Sequence, residues 1–209
     1  MQHITTLLLI SISFSAVAIN NPPIALFGYK ESPRSNLALF PQWLSVLERN
    51  MKEMTPEGQC DTTEFNRCHM REWLTFLQNI RHLSADEQIR KVNGYANRKE
   101  YILDLENYGL EDYWATPKQF LQNNGDCEDY AIIKMMSLKQ LGFDANRMRV
   151  VIVQDTNQRI AHAVMSIDRR NDILILDNQI EEVISHRNIF HYVPVYSVNE
   201  KSWWMHLPE

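Results

Sequence analysis

The sequence predicts an α+β fold, with a group of helices first and an antiparallel sheet after them. From residue 37 to residue 141 the apolar side chains recur mostly at helical spacing. From residue 148 onward they change to short β-branched runs parted by polar turns. Helices and hairpin strands segregated along the chain imply segregated layers rather than alternating βαβ units. A third observation places the core. Residues 127–141 carry Ala131, Ile132, Ile133, Met135, Met136 and Leu138 around most of a helical circumference, so this helix is expected inside the fold.

Each element has a local cause. Residues 1–18 read as a signal peptide: the apolar run from Leu7 to Phe14 is too short to span a bilayer, and Ala16-Val17-Ala18 has the small-x-small form of a cleavage site. The rival reading is an uncleaved N-terminal anchor. Residues 19–209 then form a single exported domain with no further membrane span. Residues 19–36 are a Pro-containing extended lead-in. Residues 37–54 place Leu37, Phe40, Trp43, Leu44 and Leu47 on a helix that starts near Pro41. Residues 70–83 form a second, with Trp73, Phe76, Leu77 and Ile80 on one face. Ser84 and Glu87 make a capping box for a third, running to about residue 92. Residues 93–113 are ambiguous, with Ile102, Leu103 and Leu105 able to continue a helix as far as Gly109. Thr116-Pro117 opens a short helix ending before Asn123, and Gly142 closes the core helix. Strands follow at residues 148–153, 160–167, 173–176 and 193–198. Trp43 and Trp73 belong to the helical core; Trp203-Trp204 either closes that core under a terminal strand or forms a docking surface.

Composition narrows the function classes. The chain has 209 residues, 44% hydrophobic and 22% charged, enough for one sizeable core. A net charge of −5 without any Lys/Arg run argues against nucleic acid as a partner. Of three cysteines, Cys60 and Cys68 bracket a short polar loop and suit a local disulfide in an oxidising compartment. A zinc site using Cys60, Cys68 and His69 lacks an evident fourth ligand. Cys127 is left unpaired, as a thiol kept for reactivity is.

Cys127 follows an Asn123-Asn124-Gly125 turn and opens the core helix, where the helix dipole favours a thiolate. A cysteine nucleophile needs a base, and the base needs an orienting group. His162 lies within one strand and Asp177 ends the next, so a short antiparallel turn can set them side by side. Each has a plainer reading: His162 as a structural histidine, Asp177-Asn178 as a strand-ending turn, and Asp126 as an N-cap with Asp129 in the capping-box position. The acids also oppose the chemistry. A carboxylate ~6 Å from a thiolate disfavours it by roughly 0.7 kcal/mol in water and about 3 kcal/mol at an intermediate dielectric. Asp126, Glu128 and Asp129 all lie within two positions of Cys127. A hard divalent ion held by Asp126 and Glu128 would neutralise that charge.

A helix-borne cysteine followed by His and Asp on adjacent strands resembles papain-like and transglutaminase-like enzymes. Trp114-Ala115-Thr116-Pro117, the Gly125-Asp126-Cys127-Glu128-Asp129-Tyr130-Ala131 segment, His162-Ala163-Val164 and Leu176-Asp177-Asn178 resemble the bacterial transglutaminase-like cysteine proteinase family more closely. That resemblance implies a calcium-dependent periplasmic endoprotease that cuts large surface adhesins near their N-terminal anchor and disperses biofilm. It implies Cys127 as nucleophile, His162 as base and acid, Asp177 as orienting carboxylate, and Asp126 and Glu128 as calcium ligands. It also implies an inner-membrane cyclic-di-GMP receptor that sequesters the enzyme. A transglutaminase or amidase with the same three residues, or a non-catalytic binding module, are the alternatives.

Overall fold

The computed structural model describes residues 25–53 and 67–208. Residues 1–18, read as a signal peptide, lie outside those described, and so does Cys60, on which both the Cys60–Cys68 disulfide and its zinc alternative rest. After a short 3-10 turn at Leu26–Gly28 the chain forms β1 (Lys30–Arg34), then α1 (Pro41–Glu53), α2 (Arg67–Ile80), α3 (Ala85–Ala96), α4 (Asp104–Asn107), α5 (Pro117–Asn123) and α6 (Cys127–Gln140). Six strands follow: β2 (Met148–Asp155), β3 (Ile160–Arg169), β4 (Asp172–Leu176), β5 (Ile184–Ser185), β6 (Tyr192–Val198) and β7 (Trp203–Leu207). They join β1 in a seven-stranded, wholly antiparallel sheet of order β1-β7-β6-β2-β3-β4-β5. The expected α+β class is what the chain adopts.

The helix boundaries follow their capping chemistry. The Ser84 hydroxyl accepts from Glu87 N–H while the Glu87 carboxylate accepts from Ser84 N–H, and Thr116 with Gln119 repeats that exchange ahead of Pro117. Each satisfies donors the helix itself cannot. Gly142, at φ +96°, ends α6 in the left-handed conformation that glycine adopts without strain. Residues 93–113 depart from the longer helix that the apolar pattern allowed. Beyond the end of α3 at Ala96 only Asp104–Asn107 is helical there, and Leu103, Leu105 and Leu110 stay exposed, so those side chains buy no core contact that would extend it. The lead-in also differs, since it contributes the edge strand β1, where Pro33 costs the ladder little.

The main core lies between the helices and one face of the sheet. Trp43, Trp73, Ile132, Met135 and Leu138 meet Met148, Val150, Met165 and Ile167 there, and a smaller cluster around Val151, Val164 and Ile175 covers the other face. Trp73 Nε1 donates to Ser137 Oγ at 2.9 Å and Trp43 Nε1 to the Asn199 carbonyl at 2.9 Å, so both indoles are buried without an orphaned donor. Trp203 packs into this core from β7, while Trp204 lies under the Arg149 guanidinium, 3.9 Å from its ring centroid.

Every α6 residue from Glu128 to Leu138 is buried. One of them is Lys134, whose ammonium has no hydrogen-bond partner and stands 5.7 Å from the Tyr130 ring centroid. Burial lowers its pKa to about 7, with Asp177 pulling weakly the other way. Because an unfolded lysine titrates near 10.4, the unfolded chain holds one more proton than the folded chain between about pH 7 and 10. Stability therefore rises with pH across that window from this group. Lys134→Met is expected to remove that slope and to stabilise the protein at neutral pH by on the order of a few kcal/mol, read from urea unfolding of both forms at pH 7 and pH 9.5.

Candidate active site

The cysteine is delivered by a junction that tolerates little change. Asn124 takes a positive φ of 62° between α5 and α6, and Gly125 then forms a parallel bridge with Tyr101, its carbonyl accepting from Ile102 N–H at 3.0 Å. A Cβ on Gly125 would lie 2.9 Å from Asp129 Cβ and closer still to its carboxylate. Glycine is required here by that close approach. Asp126 sits at the N-cap but makes no side-chain capping bond, so the plain capping role expected of it is not realised.

Cys127 is partly exposed, and its sulfur meets the sheet at an open edge. β4 pairs with β3 only from Met165 onward, leaving Ile160 to Val164 without a neighbour on that side. The backbone of Ala163 in this stretch is near enough to the Cys127 sulfur to favour its ionised form weakly. Next to Ala163, buried His162 places Nε2 2.9 Å from Asp177 Oδ1. Tyr192 donates its hydroxyl to Asp177 Oδ2 at 2.6 Å, and Gln179 N–H donates to Oδ1 at 2.9 Å. Burial alone would raise the Asp177 pKa. The bond and charge of His162, with Tyr192 and Gln179, hold it below the usual carboxylate range. An ionised Asp177 only accepts, so His162 carries its proton on Nε2 and leaves the Nδ1 lone pair as a proton acceptor. The exposed Gln179 amide, itself held by Gln158, lies 3.5 Å from Nδ1. Tyr192 and Gln179 escaped the sequence reading because neither stands in a pattern that marks it.

The acids form a cluster larger than the expected pair. Ligand atoms of Asp126, Cys127 and Glu128 lie within 4.8 Å of one another, as do those of Asp104, Asp126 and Asp129, and of Asp104, Asp112 and Glu128. Buried Asp104 accepts from Tyr113 N–H at 2.5 Å and buried Asp129 from Ala115 N–H at 2.6 Å. Each leaves its other oxygen unpartnered, and so does Asp126. Arg49, bound to Tyr113, Gln119 and the Trp114 carbonyl, holds the loop that brings Asp112 and Ala115 into place. Among the described residues none of these carboxylates has an ion-pair partner. Burial and mutual repulsion raise the pKa of Asp126, Glu128 and Asp129, and burial with neighbouring acids brings Asp104 to about 6. Burial, then the charges of Glu128 and Asp126, likewise push the Cys127 thiol up, and its S–H donates to Glu128 Oε2 at 3.3 Å. Orphaned, buried, all-oxygen donors facing one another fit a hard divalent cation such as calcium. Asp104 and Asp112 lie too far upstream for a local motif to have announced them.

A sequence model described as bacterial transglutaminase-like cysteine proteinase (BTLCP) matches residues 58–209. Three solved structures of Legionella pneumophila LapG, one titled calcium-bound and one EGTA-treated, superpose with a TM-score of 0.62 at 25% identity. Each covers 78% of this chain, and the match spans 84–86% of the LapG chain. No curated protein matched.

Gly125→Ala is expected to cost ~1–3 kcal/mol, because the added methyl must displace the buried Asp129 carboxylate. A lowered urea midpoint at unchanged slope checks this, and an unchanged midpoint would show that the junction has room.

Proposed function

Because the chain belongs to the bacterial transglutaminase-like cysteine proteinases, we propose that Cys127, His162 and Asp177 are its catalytic residues and that the reaction is calcium-dependent peptide hydrolysis. The observation that carries the reading is the 2.9 Å bond between His162 Nε2 and Asp177 Oδ1, in a chain whose unpaired Cys127 opens a helix. That bond leaves Nδ1 free to take the Cys127 proton. The sulfur attacks a peptide carbonyl, and backbone N–H groups at the start of α6 face the developing oxyanion. His162 then returns the proton to the leaving amine, and water, deprotonated by the same nitrogen, releases the acyl group. Asp177 stays ionised throughout and stabilises the imidazolium.

Asp126 and Glu128, with Asp104, Asp112 and Asp129 beside them, would hold the calcium ion. Bound there, it supplies positive charge that offsets the carboxylates opposing the thiolate. The substrate class in this reading is a large cell-surface adhesin cut near its N-terminal anchor, which releases it and disperses biofilm. The protease works in the periplasm under an inner-membrane cyclic-di-GMP receptor that sequesters it. Support for these finer roles is the family resemblance of the residue 125–131 segment and the apolar residues 7–14.

Three outcomes are expected when the mature chain is incubated with surface proteins of its own source. Cys127→Ala loses cleavage while keeping its fold by circular dichroism, and Asp177→Asn lowers kcat ~10²–10⁴-fold. EGTA abolishes cleavage and added calcium restores it. Calcium is also expected to raise the Tm of the wild type and to raise it less in Asp126→Asn. Retained cleavage in Cys127→Ala overturns the nucleophile, and covalent incorporation of a labelled amine in place of hydrolysis overturns the protease assignment in favour of a transferase.

A further inference from the structure

Phe27, in the turn at Leu26–Gly28, has φ +53° and ψ +19°, a left-handed conformation that a bulky residue keeps only where its surroundings hold it. The amides here are fixed. Leu26 N–H donates to Glu31 Oε1 at 3.0 Å, and Phe27 N–H donates to Nδ1 of buried His186 at 2.9 Å. Glu31 is bound in turn by Arg149 at 2.7 Å. Leu26, fully buried, already anchors the turn in the smaller core cluster. What the left-handed backbone adds is the direction of the Phe27 ring. That ring meets Tyr192 of β6 edge to face, with centroids 6.1 Å apart and planes at 89°, and meets His186 at 6.0 Å and 69°. Tyr192 is the residue whose hydroxyl donates to Asp177 Oδ2 at 2.6 Å, and its ring centroid lies 5.7 Å from that of His162. A continuous line of contacts therefore runs from the turn to the imidazole, through Tyr192 and then Asp177.

We propose that Phe27 is a positioning residue for the Asp177–His162 pair, acting through Tyr192, with the Leu26–Gly28 turn as its mount. The inference rests on Cys127, His162 and Asp177 being the catalytic residues. Rotation about the first side-chain torsion of Tyr192 would sweep its hydroxyl away from Asp177 Oδ2, and the Phe27 ring packed against it limits that sweep. The phenol then stays on a carboxylate that also accepts from His162 and from Gln179 N–H, which fixes where Oδ1 stands. Such fixing matters because a small misplacement of a reacting group costs rate steeply. Phe27 makes and breaks no bond, and the proton transfers remain with His162.

The test is a double-mutant cycle between Phe27 and Tyr192, read on the mature chain with calcium present and p-nitrophenyl acetate as the probe. Phe27→Gly removes the ring and keeps the backbone, because glycine adopts a positive φ without strain. It is expected to lower kcat for p-nitrophenolate release ~10-fold with KM little changed, and Tyr192→Phe to lower it by at least as much. The double variant is expected to match Tyr192→Phe within about twofold, since two residues acting through one path do not add. Phe27→Tyr, which keeps an aromatic ring, is expected to retain the wild-type kcat. A second readout needs no turnover: the proton on His162 Nε2, followed by NMR, is expected to exchange with water faster in Phe27→Gly than in wild type. Circular dichroism reports the folded fraction. An unchanged kcat in Phe27→Gly overturns the proposal, and so does an unchanged exchange rate. Losses that multiply in the double variant also overturn it, since Phe27 would then act by a route independent of Tyr192. So does a loss of kcat that only follows the unfolded fraction. A wild-type chain that releases no p-nitrophenolate sinks the nucleophile reading itself, and this inference falls with it.

Discussion

Burial of the first turn of α6 is the constraint from which the rest of the site follows. Glu128 and Asp129 enter the protein with their carboxylates, and Asp104 joins them from a separate segment, with no cationic side chain to meet any of them among the described residues. Charges so placed are costly unless bonded or neutralised. The chain answers in part by donating Tyr113 and Ala115 N–H groups to Asp104 and Asp129. The oxygens left over face one another, and the thiol beside them is pushed toward its protonated form. A cation in that cluster would relieve both problems, because both have the same electrostatic origin.

The opposite side of the sulfur is built on a different principle. β4 is shorter than β3 and leaves part of the β3 edge open, and α6 puts Cys127 against that opening. The same shortness lets Asp177 leave the sheet and turn toward His162. Tyr192 and the Gln179 N–H then occupy two more lone pairs of the carboxylate. Four groups converge on Asp177, counting His162 and the Asn97 amide on its carbonyl, and its charge stays fixed while the imidazole orientation is held. The sheet thus supplies an imidazole already oriented, and the helix supplies the sulfur.

Much of this could be read before the structure. Capping boxes at Ser84 and Thr116, the Gly142 stop and the β-branched runs after residue 148 all set local geometry, and local geometry needs no distant partner. The resemblance of residues 113–178 to a cysteine proteinase family was legible for the same reason, since its Gly-Asp-Cys-Glu-Asp-Tyr-Ala core is contiguous. What failed to show were features made by remote pairing. β1 and β7 hydrogen-bond across most of the chain, from Lys30 with Leu207 to Arg34 with Trp203, and no periodicity in either segment announces the other. Residues 93–113 stayed ambiguous because exposed leucines imitate a helical face; their burial, or lack of it, depends on what stands opposite.

Residue types and spacing alone determined the order of helices and strands, the helix-initial placement of Cys127 and the succession of a strand histidine and a strand-end aspartate, because each follows from backbone preferences over a few neighbouring residues. Tertiary structure alone decided that Asp104 and Asp112 join Asp126, Glu128 and Asp129, that Tyr192 holds Asp177, and that Tyr101 bridges to Gly125. Those groups meet through packing between elements tens of residues apart, and the Coulomb and hydrogen-bond energies that give them chemical meaning depend on separations of a few ångströms that only the folded chain sets.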